Sequence, residues 1–163
     1  MPLASYGAAV LRKPAQPVSE INEEIQQLID DMAETMFAAP GAGLAAPQVG
    51  ISKRIIVIHS LEDSSRKDFL ALINPEIVHT EGKAVTEEGC LSIPELRMEV
   101  SRAEKVLVRA LDREGKPIEV EGVGLMARVL QHEIDHLNGL LYIDRLSPAK
   151  RDVIKRKLKK SLA

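Results

Sequence analysis

The stretch QHEIDH (131–136) sets two histidines four positions apart, with a glutamate directly after the first. On a helix, His132 and His136 stand one above the other on one face, close enough to grip a single metal ion. H-E-x-x-H has a mechanism behind it: the histidines bind the metal, and Glu133 is the general base toward a water that the metal activates. The pattern is short, and a solvated helix with two histidines and an unrelated acid would read the same way. A catalytic site of this kind needs three protein ligands and an open position. A metalloprotease often draws its third ligand from a Glu or His on a following helix. After His136 there is no further histidine, and the only acids are Asp144 and Asp152.

Upstream, EEGCLSIP holds Cys90, the only cysteine of the chain. A lone cysteine is normally a small packing residue. Here a site short of one ligand and a single thiolate account for each other. Gly89 and Pro94 suit an irregular segment that approaches another element closely.

These residues need elements to hold them. LMARVLQHEIDHL (125–137) has helical periodicity, with Asn138-Gly139 as its stop. An N-terminal helix is expected from Ser19 as N-cap, with Ile21, Ile25, Leu28, Ile29, Met32 and Met36 at helical spacing and Pro40-Gly41 as its end. Residues 3–18 carry turn signals at Gly7, Pro14 and Pro17 and read as irregular or short strand. GAGLAAPQVG (41–50) reads as a loop or a closely packed extended segment. RIIVIH (54–59) is a buried strand, SLEDSSRKD a polar loop, and FLALINPEIV (69–78) a strand limited by Pro75. EKVLVRALD (104–112) and KPIEVEGV (116–123) form a hairpin about the turn at Asp112–Gly115. Ser147-Pro148 opens a last helix as N-cap and N1. Strands gathered between helices give an α+β class: hairpins packed around a central metal-binding helix, flanked by an N-terminal and a C-terminal helix.

The chain has 163 residues, 45% hydrophobic and 28% charged, which suits one globular domain over 1–163 without disulfides. No apolar run has the length of a bilayer span, and MPLASYGAAVL lacks the parts of a signal peptide, so a cytoplasmic location is expected. The net charge of −2 hides an asymmetry. Seven of the 22 Lys/Arg and one of the 24 Asp/Glu lie in residues 148–163, which leaves the rest of the chain at −8. Val153, Ile154 and Leu158, with Leu162, give that last helix a narrow apolar stripe. Its basic faces either complement the helix's own C-terminal dipole or meet RNA phosphates.

GAGLAAPQVG, EGCLS and QHEIDH resemble, in order and approximate spacing, the G-x-G-x-A-A-x-Q, E-G-C-x-S and H-E-x-D-H motifs of peptide deformylases. The likeness extends through MFAAP before the first motif, SRAEKVLVRALD between the later two and LNGLLYIDRLSP after the last, and so over essentially the whole chain. It implies a metal-dependent hydrolase that removes the formyl group from N-formylmethionyl nascent peptides. Cys90, His132 and His136 would be the metal ligands and Glu133 the general base. The Gln48 amide and the backbone N–H of Leu91 would hold the developing oxyanion. Read alone, Gln48 is a loop polar residue, although after GLAAP a buried amide must be satisfied somewhere. The resemblance also implies a substrate strand against Ala42–Gly43 and Gly89, with Gly43 letting a backbone come near. Arg97 either lies near the peptide tail or is solvated. Ala42 replaces the larger aliphatic of many deformylases and predicts a roomier rim to the methionine pocket. Arg128, one turn before His132, is read as snorkelling to water. His59 and His79 lack ligand spacing. Glu87, Glu88 and Asp135 are all available to orient His132.

One thiolate and two imidazoles suit zinc, iron(II), cobalt and nickel alike, and the resemblance points to Fe2+ physiologically, with Zn2+, Ni2+ or Co2+ in purified protein. It also favours a basic C-terminal helix that contacts the ribosome near the exit tunnel, and a monomer is the default expectation. Two alternatives compete: a zinc endopeptidase using the same H-E-x-x-H, and a non-catalytic, ribosome-associated domain stabilised by metal. The first fits Cys90 poorly as third ligand. The second needs neither Glu133 nor Gln48 and would take a fourth protein ligand.

Overall fold

A computed structural model describes residues 3–4, 8–39, 41–60, 68–90 and 93–162, and the side chains of these except at 93–96 and 157–162. Leu91, Pro40, Gly7 and most of the 60–68 loop lie outside the described residues, as do the side chains of Pro94, Leu158 and Leu162.

The apolar run at 55–58 becomes β2 (Ile55–His59), buried on both faces. Its odd and even residues serve different partners. Ile55 and Val57 pack with Ile25, Ile29, Met32 and Met36 of α1 (Glu23–Ala38). Ile56 and Ile58 pack with Ala127, Leu130 and Ile134 of α2 (Leu125–Leu137). The sheet therefore lies between two helices, and α2 is the central one. Around β2 the antiparallel order is β1-β2-β3-β6-β7, with β1 Gly43–Ala45, β3 Phe69–Glu81, β6 Lys105–Leu111 and β7 Pro117–Val123. The hairpin expected about Asp112–Gly115 is the β6–β7 pair. Gly122 lets α2 close on β7, since a Cβ there would lie 2.7 Å from Leu130 Cδ1.

Three expectations need correction. α1 starts at Asn22, whose side chain accepts from the Ile25 N–H at 3.1 Å, and not at Ser19. The reason lies in the preceding backbone: the Val18 N–H donates to Asn74 Oδ1 and the Val18 C=O accepts from Asn74 Nδ2, which keeps the segment out of a helix. β3 passes through Pro75 instead of ending near it. The missing donor falls where the register with β6 slips between Ile73 and Glu76, beside Asn74 at φ 52°, so no ladder bond is lost. Cys90 sits at the end of a strand, not in an irregular segment. β4 (Ala84–Cys90) and β5 (Ile93–Arg102) pair with each other as a separate two-stranded sheet.

Ser147 does open α3 (Pro148–Leu162), its Oγ accepting from Lys150 N at 3.4 Å. Of the expected apolar stripe, Ile154 is buried against Leu141, Tyr142, Ile143 and Leu146, whereas Val153 is 50% exposed. Among the described residues, no helix is long and apolar enough to cross a membrane.

Candidate metal centre

One turn of α2 carries His132, Glu133 and His136 inward, and the end of β4 brings Cys90 to meet them. Arg54 holds the C-terminal end of α2 in place, donating to the Leu137 C=O at 3.1 Å and Asn138 Oδ1 at 3.0 Å, where a cation also suits the helix dipole. His136 Nε2 lies 3.2 Å from His132 Nε2 and 3.4 Å from Cys90 Sγ. A tetrahedral ion at ordinary Zn–N and Zn–S lengths would hold such donors about 3.3 to 3.6 Å apart. The ligand atoms of all three residues lie within 4.8 Å of one another, and they form the only such cluster among the described residues. The donor set fits a divalent ion.

Electrostatics agree. Burial works against a charged His132, but hydrogen bonds with Cys90 and Glu88 and the Glu133 carboxylate push its pKa up to about 10. His136 is lowered well below its ordinary value, by burial first and by the His132 charge second. The site thus favours one positive charge on the two imidazoles and disfavours a second.

Gln48 is 1% exposed, on the short 3-10 turn Ala46–Val49 that follows β1. Its Oε1 accepts from the Ala45 N–H at 3.0 Å, and this fixes Nε2 toward the site, 3.5 Å from Cys90 Sγ. Glu133 is buried too, and its Oε1 finds no hydrogen-bond partner among the described residues. Burial is the main cause that pushes its carboxyl up to about 7, against the pull of the His132 charge. Gly43 has a reason that the sequence did not disclose: a Cβ there would lie 2.8 Å from Glu133 Oε2 and 3.0 Å from Val129 Cγ1. The absent side chain makes room for the glutamate.

A cavity of about 450 Å³ opens over these groups, with Ala42 and Gly43 on one wall and Gly89 and Cys90 on another. β1 is an edge strand. The Ala42 C=O is taken by the His59 N–H at 2.9 Å, so by antiparallel alternation the Gly43 N–H and C=O turn away from β2. The free edge of the sheet faces the cavity.

Of the carboxylates left open by sequence, Glu88 is the one on His132, accepting from Nδ1. Burial alone would raise the Glu88 carboxyl, yet hydrogen bonds from His132 and Arg102 hold it below the ordinary carboxylate range. Glu87 pairs with Arg97 at an exposed rim, 2.9 Å apart. Asp135 acts one step back, between Arg102 (2.7 Å) and Arg145 (2.6 Å). Arg128 does not snorkel outward as expected. It is 8% exposed, its head paired with Glu88 at 2.9 Å, because a buried carboxylate and two strand carbonyls lie within its reach. His59 packs edge-on against Phe37 and His79 pairs with Glu81 on the surface, neither near the cluster.

Sequence reading missed Arg102, Arg145 and Tyr142. Arg102 is 5% exposed between Glu88 and Asp135, and Tyr142 stacks on the His132 ring at 6.2 Å. Arg102 meets partners 14 and 33 positions away, and Arg145 and Tyr142 meet theirs ten positions back across the turn that follows α2, spacings that no helix or strand period marks.

An α+β frame that presents two helical histidines, a strand cysteine and a buried glutamate defines a metal hydrolase. The sequence profile described as polypeptide deformylase matches residues 1–152, and the chain belongs to that family of amide hydrolases. It is 51% identical over 157 residues to a peptide deformylase of Thermodesulfovibrio yellowstonii, covering 96% of this chain and 95% of the relative. A peptide deformylase of Acidobacterium capsulatum is also 51% identical, over 159 residues, 98% of this chain and 94% of its own. The crystal structure of a peptide deformylase from Legionella pneumophila superposes with a TM-score of 0.89 at 51% identity, over 97% of this chain and 92% of that one.

Proposed function

We propose that this chain removes the formyl group from the N-terminal methionine of newly made proteins, in the cytoplasm, as a monomer with residues 1–163 forming one catalytic domain. The observation that carries the reading is the convergence of Cys90, His132 and His136 beside the buried Glu133 in an open cavity. The donor set takes several divalent ions, and the family resemblance favours iron(II) among them. When bound, the ion supplies Lewis acidity, giving a hydroxide nucleophile from water near neutral pH and polarising the formyl carbonyl.

The residues do the rest. Glu133, with its carboxyl pushed up to about 7, takes the water's proton and returns it to the leaving amine. Gln48 offers an N–H from its already anchored amide to the oxyanion that builds up, and the backbone N–H of Leu91 is assigned as the second donor. The peptide adds as a strand at the free edge of β1, with Gly43 supplying main-chain bonds and Gly89 opposite. Ala42 lines the methionine pocket, and Ala42→Ile should change the KM for formyl-methionyl peptides; an unchanged KM would remove Ala42 from the pocket. Exposed Lys150, Lys155 and Arg156 on α3 supply the ribosome-facing charge.

The test is anaerobic formate release from formyl-Met-Ala-Ser by wild type and Glu133→Ala, with bound metal quantified in each. Turnover by wild type alone, with metal retained in both, supports the reading. No formate from the iron-loaded wild type defeats it.

A further inference from the structure

Cys90 comes from a hairpin that the main sheet does not hold, since β4 and β5 pair only with each other. Ladder hydrogen bonds from the five-stranded sheet therefore cannot set the distance between the thiolate and the two histidines. Beneath the hairpin, an apolar cluster of Val100, Leu141 and Tyr142 provides support without defining a register, so the directional links to α2 are made by side chains, among them Glu88 on His132, Arg102 on Asp135, and Arg128.

We infer that Arg128 is a positioning residue of the metal site: it fastens the Cys90 hairpin to the helix that carries the histidines. The inference rests on the proposal that these three residues hold an ion. One guanidinium reaches three acceptors on both strands. Nη1 donates to Glu88 Oε2 at 2.9 Å and to the Val100 C=O at 3.0 Å, and Nη2 donates to the Ala84 C=O at 2.8 Å. Ala84 and Glu88 belong to β4, and Val100 lies opposite Thr86 on β5. Arg128 is one turn before His132 and two before His136, on the same helix face, while Glu88 is two residues before Cys90 on the same face of its strand. The Arg128–Glu88 contact thus repeats, one step back, the approach of helix to strand that brings the ligands together.

The chemistry requires an arginine. A planar fork of donors can bind a carboxylate and two carbonyls at once, whereas a lysine is a single point charge. Charge is not the main contribution, because Glu88 also receives Arg102 and His132. The distinctive contribution is the anchorage of two strand carbonyls, the buried one of Val100 and the half-buried one of Ala84, to the helix that carries the histidines. Arg128 also lines the cavity, and methionine at this position would keep a side chain of similar length there.

The experiment uses full-length protein loaded with zinc, and separately with cobalt(II), well below the melting temperature. Zinc release to an excess of chelator is timed in wild type, Arg128→Met and Arg128→Lys, and the cobalt thiolate charge-transfer band reports Cys90 ligation. Arg128→Met should release zinc about ten- to a hundredfold faster and weaken the band, in line with losses of supporting residues at other metal sites. Arg128→Lys should be intermediate, and it carries the test alone if the methionine variant does not fold. Release rates and bands equal to wild type in the folded variants overturn the inference, even if their melting temperatures fall, since that leaves Arg128 a merely structural residue. A wild type that shows no thiolate band defeats instead the assignment of Cys90 as a ligand.

Discussion

At the scale of single residues, the glycine at position 43 and the glutamate at position 133 must be considered together. The carboxylate occupies the space that a side chain at 43 would need, with 2.8 Å between Glu133 Oε2 and the place of a Cβ. Gly43→Ala should therefore displace Glu133 while leaving the cysteine and histidine donors in place. The expected result is a loss of deformylation of about 10²-fold or more, the usual worth of a general acid–base group, with metal content unchanged. Formate release and metal analysis on the same preparation check it; full activity would mean that Glu133 adjusts freely. The candidate ligand set was legible from residue types, because H-E-x-x-H on a helix and a single cysteine leave few other ways to complete three donors, and the fold brings these three together. The environment of each residue was not. Arg128 reads as a surface cation by type and spacing, and only the arrival of Glu88 from another element, 40 positions away, makes burial of its charge possible.

At the scale of elements, the helices and the apolar strands were visible in periodicity, but β4 was not. Its one buried residue along 84–88 is Glu88, so a strand that turns a charge inward shows no alternation of apolar and polar residues. The C-terminal helix divides in the same way between packing and charge. Ile154 is 4% exposed in the cluster that also holds Tyr142, which stacks on His132, so cutting the chain at Pro148 would remove core along with cations. A chain ending at Arg156 keeps Ile154 and discards Lys157, Lys159 and Lys160. That form should turn over short formylated peptides like the full chain. It should also bind ribosomes more weakly, with a salt dependence shallower by roughly two to three phosphate contacts. Co-sedimentation across a salt series measures this, and equal binding in low salt would refute a contribution from Lys157, Lys159 and Lys160, leaving Lys150, Lys155 and Arg156 to be neutralised in the retained helix.

At the scale of the whole molecule, the candidate metal centre joins parts that the backbone ladders leave separate: the α2 helix, the β4–β5 hairpin and, through Asp135 and Arg145, the segment leading into α3. An ion that binds only the folded arrangement stabilises it by mass action, by about 2.7 kcal/mol at a free concentration a hundredfold above Kd. For a chain of this size that is a rise in melting temperature of roughly 5–10 °C. Calorimetry with saturating zinc and after chelation should show the difference, and an unchanged Tm would mean that the donors are not assembled by folding. What the sequence by itself determined was candidate chemistry and local form: which residue types are suited to bind a metal and which to move a proton, where apolar periodicity demands a helix or a buried strand, and where the charge asymmetry lies. The tertiary structure decided which carboxylate supports His132, which side chain fills the space beside Gly43, and that the Arg128 head turns inward onto Glu88. Those outcomes depend on distances between residues remote in the chain, and burial reverses what a charged or missing side chain means only once its neighbours have arrived.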